Sequence, residues 1–281
     1  MRNVLGWRAV AALGLLTLGA VSLARADDPA SAEQEQLKRR GRQLQESLGW
    51  YQVVANRDTK EPMKAEIVQR WSNPTRMQKG ETALVVWTDG GRPEGLASAY
   101  PWNGYLVYEC VSLARAEGLQ AKEGERSVWA PGAPGVRFQA VPDAPVPAKT
   151  AVARLAQMRG IAETFKVTMT SMKQGLADRE EMRLLPKPVY RYDLAAAKLV
   201  HPDLIDGAVF AFVQGTDPEA VLLVEVNREG ETTTWRYAFG RATTLTVEAK
   251  LGPSVVWKAE SQSSWSDPKL PGVALGRRLV D

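Results

Sequence analysis

Residues Asp206 to Val226, DGAVFAFVQGTDPEAVLLVEV, place two apolar runs on either side of a Gly-Thr-Asp-Pro-Glu break. Runs of this length around such a break read as two strands and a turn, and any fold for the chain must bury them. An echo lies upstream. Laying Glu81 to Ala99, ETALVVWTDGGRPEGLASA, along it sets Ala83 on Ala208, Gly90 on Gly215, Pro93 on Pro218 and Glu94 on Glu219. Most apolar and turn positions coincide too, which marks an internal repeat.

Around this hairpin pattern the chain divides in order. Arg2 and Arg8 precede an uncharged apolar run from Val10 to Leu23, and Ala24-Arg25-Ala26 supplies the small residues of a cleavage site. This is the pattern of a secretory signal peptide over residues 1–26, so the mature chain is expected to be exported, periplasmic or extracellular, and to start at Asp27. The apolar run is shorter than the roughly 20 residues of a membrane span, and no span is expected in the mature chain.

Helix formers run from Glu33 to Ser47, and strand patterns follow: WYQVV, KAEIVQRWS, ALVVWT, GLASAY and YLVYECVSL. Asn103-Gly104 carries the pair that favours a type I′ hairpin turn. Residues 129–147 are rich in Pro, Gly and Ala and read as a linker lying extended against the body, with Val136, Phe138 and Val141 to bury. A second helix opens near Pro147 with an apolar stripe of Val152, Leu155, Met158, Ala162 and Phe165. A second set of strands follows, in which Trp235, Tyr237 and Phe239 match Leu106, Tyr108 and Cys110 as core trios on one strand face. The expected fold class is therefore α+β: two tandem repeats of a helix followed by an antiparallel meander, at 27–128 and 148–260, packed as a pair or merged into one sheet or barrel. Residues 261–281 have no period and read as an irregular tail that covers a sheet edge.

Composition excludes several function classes. The whole chain has 36 basic and 32 acidic side chains; removing residues 1–26 deletes Arg2, Arg8 and Arg25 and no acid, so 36 − 3 = 33 basic side chains face 32 acidic ones, leaving no footprint for nucleic acid. The KRRGR run, Lys38 to Arg42, lies beside Glu33, Glu35 and Glu46 and reads as a solvated helix face. One histidine, His201, and one cysteine, Cys110, cannot build a usual zinc or thiol site, and no metal, cofactor or catalytic residue is assigned. Cys110 falls inside an apolar strand and reads as a small buried hydrophobe.

The recurrent Pro93-Glu94 and Pro218-Glu219 invite a pair of catalytic carboxylates, but Pro followed by a polar residue also suits a tight turn, and the turn reading is preferred. Trp102 stands at the expected hairpin tip, where an exposed aromatic serves as a platform for a sugar ring or a partner protein. Arg92, Arg115 and Arg241 have the charge to bind an anion, yet their spacing does not set them apart from surface residues. The candidate ligand-binding residues are thus Trp102, Arg92, Glu94 and Glu219.

The stretches RLLPKPVYRY (183–192), DGAVFAFVQGTDPEAVLLVE (206–225), RWSNPTR (70–76) and VVWTDGGRPE (85–94) together resemble a family of uncharacterised bacterial exported proteins. The resemblance implies export and carries no reaction. The expected function is a noncatalytic binding or scaffold protein of the cell envelope with a protein or glycan partner. The alternatives are a carboxylate-based hydrolase of envelope glycans and a subunit or chaperone-like partner of another exported protein.

Overall fold

In the computed structural model, which describes residues 29–55, 61–73, 78–193, 195 and 200–279, the two apolar runs pair as expected. β13 (Leu204–Gln214) and β14 (Asp217–Glu229) form an antiparallel hairpin, and β15 (Thr232–Arg241) continues it. The short β11 (Arg183–Leu184) and β12 (Tyr190–Arg191) flank β13, and β8 (Gln139–Ala140) adds to β15. A second central sheet runs in the order β18 (Gly272–Arg278), β5 (Tyr105–Ser112), β4 (Arg92–Trp102), β3 (Gln78–Asp89), β2 (Lys64–Asn73). All these pairings are antiparallel.

The central strands read as unbroken apolar runs because both of their faces are covered. Along β14, Val221 and Leu223 meet Leu84, Val86, Leu96 and Val111 of the other central sheet, so the two sheets stack face to face. The alternate residues Ala220, Leu222, Val224 and Val226 point the other way, into a cluster with Met158, Phe165, Val167 and Val247. That outer cluster is roofed by α2 (Ala151–Glu163) and by the sheet β10 (Leu176–Glu181), β9 (Phe165–Lys173), β16 (Thr246–Leu251), β17 (Ser254–Ala259). On the opposite side, Val85, Trp87, Ala97 and Tyr108 pack under α1 (Pro29–Ser47) and the sheet β1 (Gln52–Val54), β6 (Gln120–Glu123), β7 (Arg126–Trp129). Each fully enclosed Leu or Phe here contributes roughly 1.5–3 kcal/mol.

This architecture overturns the α+β expectation. Strands account for 54% of the structure and helices for 12%, so the chain is mostly β. Nor does either half close as a helix-plus-meander module of its own. β18 from the C-terminal stretch read as irregular completes the sheet of the first half, and β8 from the expected linker completes that of the second. Val136 and Trp265 lie in the shared interface between the sheets. The helices are lids on outer faces because the core is built from sheet surfaces.

Local expectations fare unevenly. Asn103 and Gly104 take φ of 48° and 78°, as a type I′ turn requires. Both core trios are buried, and Cys110 is an enclosed free thiol whose pKa burial pushes up. Lys38 and Arg42 pair with Glu35 on the exposed side of α1. On α2 the buried residues are Arg154, Met158, Ile161 and Ala162, whereas Val152, expected on the stripe, is 82% exposed. The leader expected at residues 1–26 lies outside the described residues, among which no helix is long and apolar enough to cross a membrane.

Candidate functional site

Pro93-Glu94 and Pro218-Glu219 are not the turns the sequence suggests. The turns fall earlier, at Gly90-Gly91 and Gly215-Thr216, and each Pro-Glu lies at the start of the returning strand. In the β3–β4 hairpin Trp87 pairs with Gly95 and Thr88 with Pro93, leaving Glu94 without a partner. In β13–β14, Phe212 pairs with Ala220 and Val213 with Pro218, leaving Glu219 out in the same way. Each Glu is the extra residue of a β-bulge, a device that re-aims a side chain. The freed carbonyls are still satisfied, by Leu113 N at 2.8 Å and Ala242 N at 2.9 Å. Both side chains are buried, so the solvated-turn reading is corrected.

Glu94 belongs to a charged network between the central sheets. Gly91, at φ 79°, backs so closely onto Asp193 that a Cβ there would lie 2.5 Å from the Asp193 carbonyl oxygen. This contact docks the hairpin on the strand β12 side of the second sheet and delivers the next residue, Arg92, inward with no solvent exposure. Arg92 Nε donates to Glu225 Oε1 at 3.0 Å, while Nη1 donates to Glu94 and to the Pro93 carbonyl at 3.1 Å. Glu225 also accepts from Tyr192 Oη at 2.9 Å, from Arg115 and from Asn227 Nδ2 at 3.4 Å. The Phe138 ring lies 5.6 Å from the Arg92 guanidinium carbon and 5.0 Å from that of Arg115. His201 Nε2 stands 3.2 Å from the Asp89 carbonyl oxygen and 4.0 Å from Glu94 Oε1.

The electrostatics follow from this enclosure. Burial raises the Glu94 pKa, and Arg92 offsets only part of that. Burial alone would depress the Arg92 guanidinium, but Glu225 and Glu94 outweigh it and hold its pKa above the ordinary value. Tyr192 is driven well up by burial and by Glu225. His201 is pushed down by burial and by the nearby Arg92. Arg92 and Arg115 reach from the first sheet to Glu225 of the second, and both guanidinium groups lie against Phe138, so the arrangement ties two sheets and the 129–147 stretch together.

Of the four sequence candidates, Arg92 and Glu94 are thus brought together. Glu219 is buried at its own bulge. Trp102 stands apart at the tip of the β4–β5 hairpin, 51% exposed, directly opposite Tyr105, which is 44% exposed. Sequence reasoning missed Glu225, Tyr192 and Asn227. The signal for Glu225 was there: an acid inside the apolar run LLVEV has no solvated face to occupy. A second buried acid, Asp206, holds α2 by accepting from Arg154 Nε at 2.7 Å and from Arg191.

A cleft of about 540 Å³ opens beside the Gly90-Gly91 turn, between Lys64 and Glu66 of β2 and the Tyr190–Asp193 segment. Among the described residues, no group of three His, Cys, Asp or Glu side chains is placed to hold a metal ion. The fold and site define a mostly-β protein of stacked antiparallel sheets with an internal charge clamp and an exposed aromatic tip. Compared with family models, curated proteins and solved structures, the chain matches none.

Proposed function

We propose that the protein is an exported, noncatalytic binding protein that engages a glycan or protein partner in the cell envelope through its Trp102 hairpin tip. The observation that carries this reading is the cross-strand pair Trp102 and Tyr105, two large aromatic faces left in water at the end of a rigid hairpin. Exposed aromatics at a fixed tip cost solvation and offer flat surface for a sugar ring or an apolar side chain. The hairpin is anchored at its turn, where Leu279 N donates to the Gly104 carbonyl at 2.9 Å, and further down, where Tyr100 Oη donates to Glu109 at 2.7 Å. The hydrolase alternative has less support, because Glu94 is engaged by Arg92.

Co-sedimentation with peptidoglycan sacculi and chemical cross-linking in envelope extracts test the reading with wild-type protein and Trp102→Ala. The variant is expected to lose the interaction while its Tm stays nearly unchanged. A Tm drop matching the roughly 3–5 kcal/mol of a buried Trp→Ala would place Trp102 in the core, and undiminished binding would remove the tip from the interaction. Export rests on the leader pattern at residues 1–26 and on the resemblance of several segments to exported proteins. N-terminal sequencing of secreted material is expected to begin at Asp27, and recovery of uncleaved chain in membranes would count against export.

A further inference from the structure

Arg241, at the end of β15, lines a pocket of about 180 Å³ together with Phe239, Trp257, Val111, Gly272 and Gln262. Its Nε and Nη2 are buried and make no hydrogen bond within the protein, and the buried Oε1 of Gln262 makes none either. Polar groups out of reach of water are nearly always paired, so three unpaired ones around one pocket call for a partner. Their chemistry says which. Nε and Nη2 share one edge of the guanidinium, and their parallel N–H bonds form the fork that grips both oxygens of a carboxylate. The amide oxygen of Gln262 can only accept, so it requires an N–H or O–H. In the same lining, Phe239 and Trp257 stack at 5.3 Å with 21° between their planes and make an apolar wall.

We propose that this pocket binds a small carboxylate that also carries an N–H or O–H donor, its apolar body against Trp257. A cavity of about 150 Å³ accommodates benzene, so the space suits a ligand of that order, such as an N-acylated small amino acid. The C-terminus of a peptide offers the same chemistry. Burial lowers the Arg241 pKa and Glu260 offsets this in part; a bound carboxylate would add to the offset.

The test titrates the full chain, ¹⁵N-labelled at arginine, with N-acetylalanine, N-acetylalaninamide and N-acetyl-trialanine, following the Arg241 Nε–H resonance. The free acid is expected to shift it saturably, and the amide to bind at least about tenfold more weakly. Tighter binding of the tripeptide acid identifies a peptide C-terminus as the ligand, and weaker binding a small free acid. Arg241→Lys keeps the charge without the fork and is expected to lose affinity at least about tenfold with Tm maintained. Gln262→Leu, which removes the acceptor alone, is expected to weaken binding and serves if Arg241→Lys does not fold. No saturable shift with either acid, equal affinity for acid and amide, or undiminished binding by the variant overturns the proposal.

Discussion

Glu225 is fully enclosed, and its two oxygens accept from Arg92, Arg115, Tyr192 and Asn227. Replacing it by Gln keeps the shape but leaves the buried Arg92 charge facing only Glu94. Breaking a buried pair in this way costs about 3–5 kcal/mol, so urea unfolding of Glu225→Gln is expected to show that loss with an unchanged m-value. His201 provides a pH readout. Its folded pKa lies below the ordinary 6.5, so the folded state prefers the neutral ring. The resulting stability is complete above pH 6.5 and is lost as pH falls from there through the folded pKa. Because the chain has one histidine, a single imidazole signal should titrate below 6.5 in NMR. A midpoint above 6.5 would mean that Glu94 and Asp89 outweigh burial and Arg92 in its surroundings.

At the scale of elements, two glycines with nearly the same φ separate strain from contact. Gly91 and Gly104 have φ of 79° and 78°, but a Cβ on Gly104 meets nothing within 4 Å while one on Gly91 runs into Asp193. Gly104→Ala should cost about 1–2 kcal/mol from backbone strain alone. Gly91→Ala adds displacement of the hairpin from β12, and thermal denaturation should rank it clearly the more damaging. Hairpins of this kind were readable from residues: the apolar runs predicted β13 and β14, and Asn103-Gly104 predicted its turn. The role of Pro93-Glu94 and Pro218-Glu219 was not, because turn chemistry and a bulge both favour such residues. Only the pairing register shows which strand residue has been left out.

For the whole molecule, the decisive surface is the one between the central sheets. Leu223 lies in it with no exposure, and Leu223→Ala should cost about 2–5 kcal/mol by opening a cavity there. Strands from the expected linker and tail complete these sheets, and Leu84, Val86, Leu96 and Val111 of the first half share one buried cluster with Val221 and Leu223 of the second. Unfolding should therefore appear as one transition, with near-ultraviolet circular dichroism and tryptophan fluorescence coinciding. Two separated transitions would show the sheets folding as independent units.

Residue patterns within a few positions of the chain were enough for the β2 to β5 and β13 to β15 strands, their antiparallel neighbours and the burial of the core trios, since alternation, apolar runs and turn residues act locally. Tertiary structure alone decided the fold class and the charge clamp. Helices and strands were both legible, but which of them forms the core depends on how the sheet faces stack. Arg92 and Glu225 are 133 residues apart, and no local pattern in the chain says that an arginine beside a glycine turn will be closed over by an acid from the facing sheet.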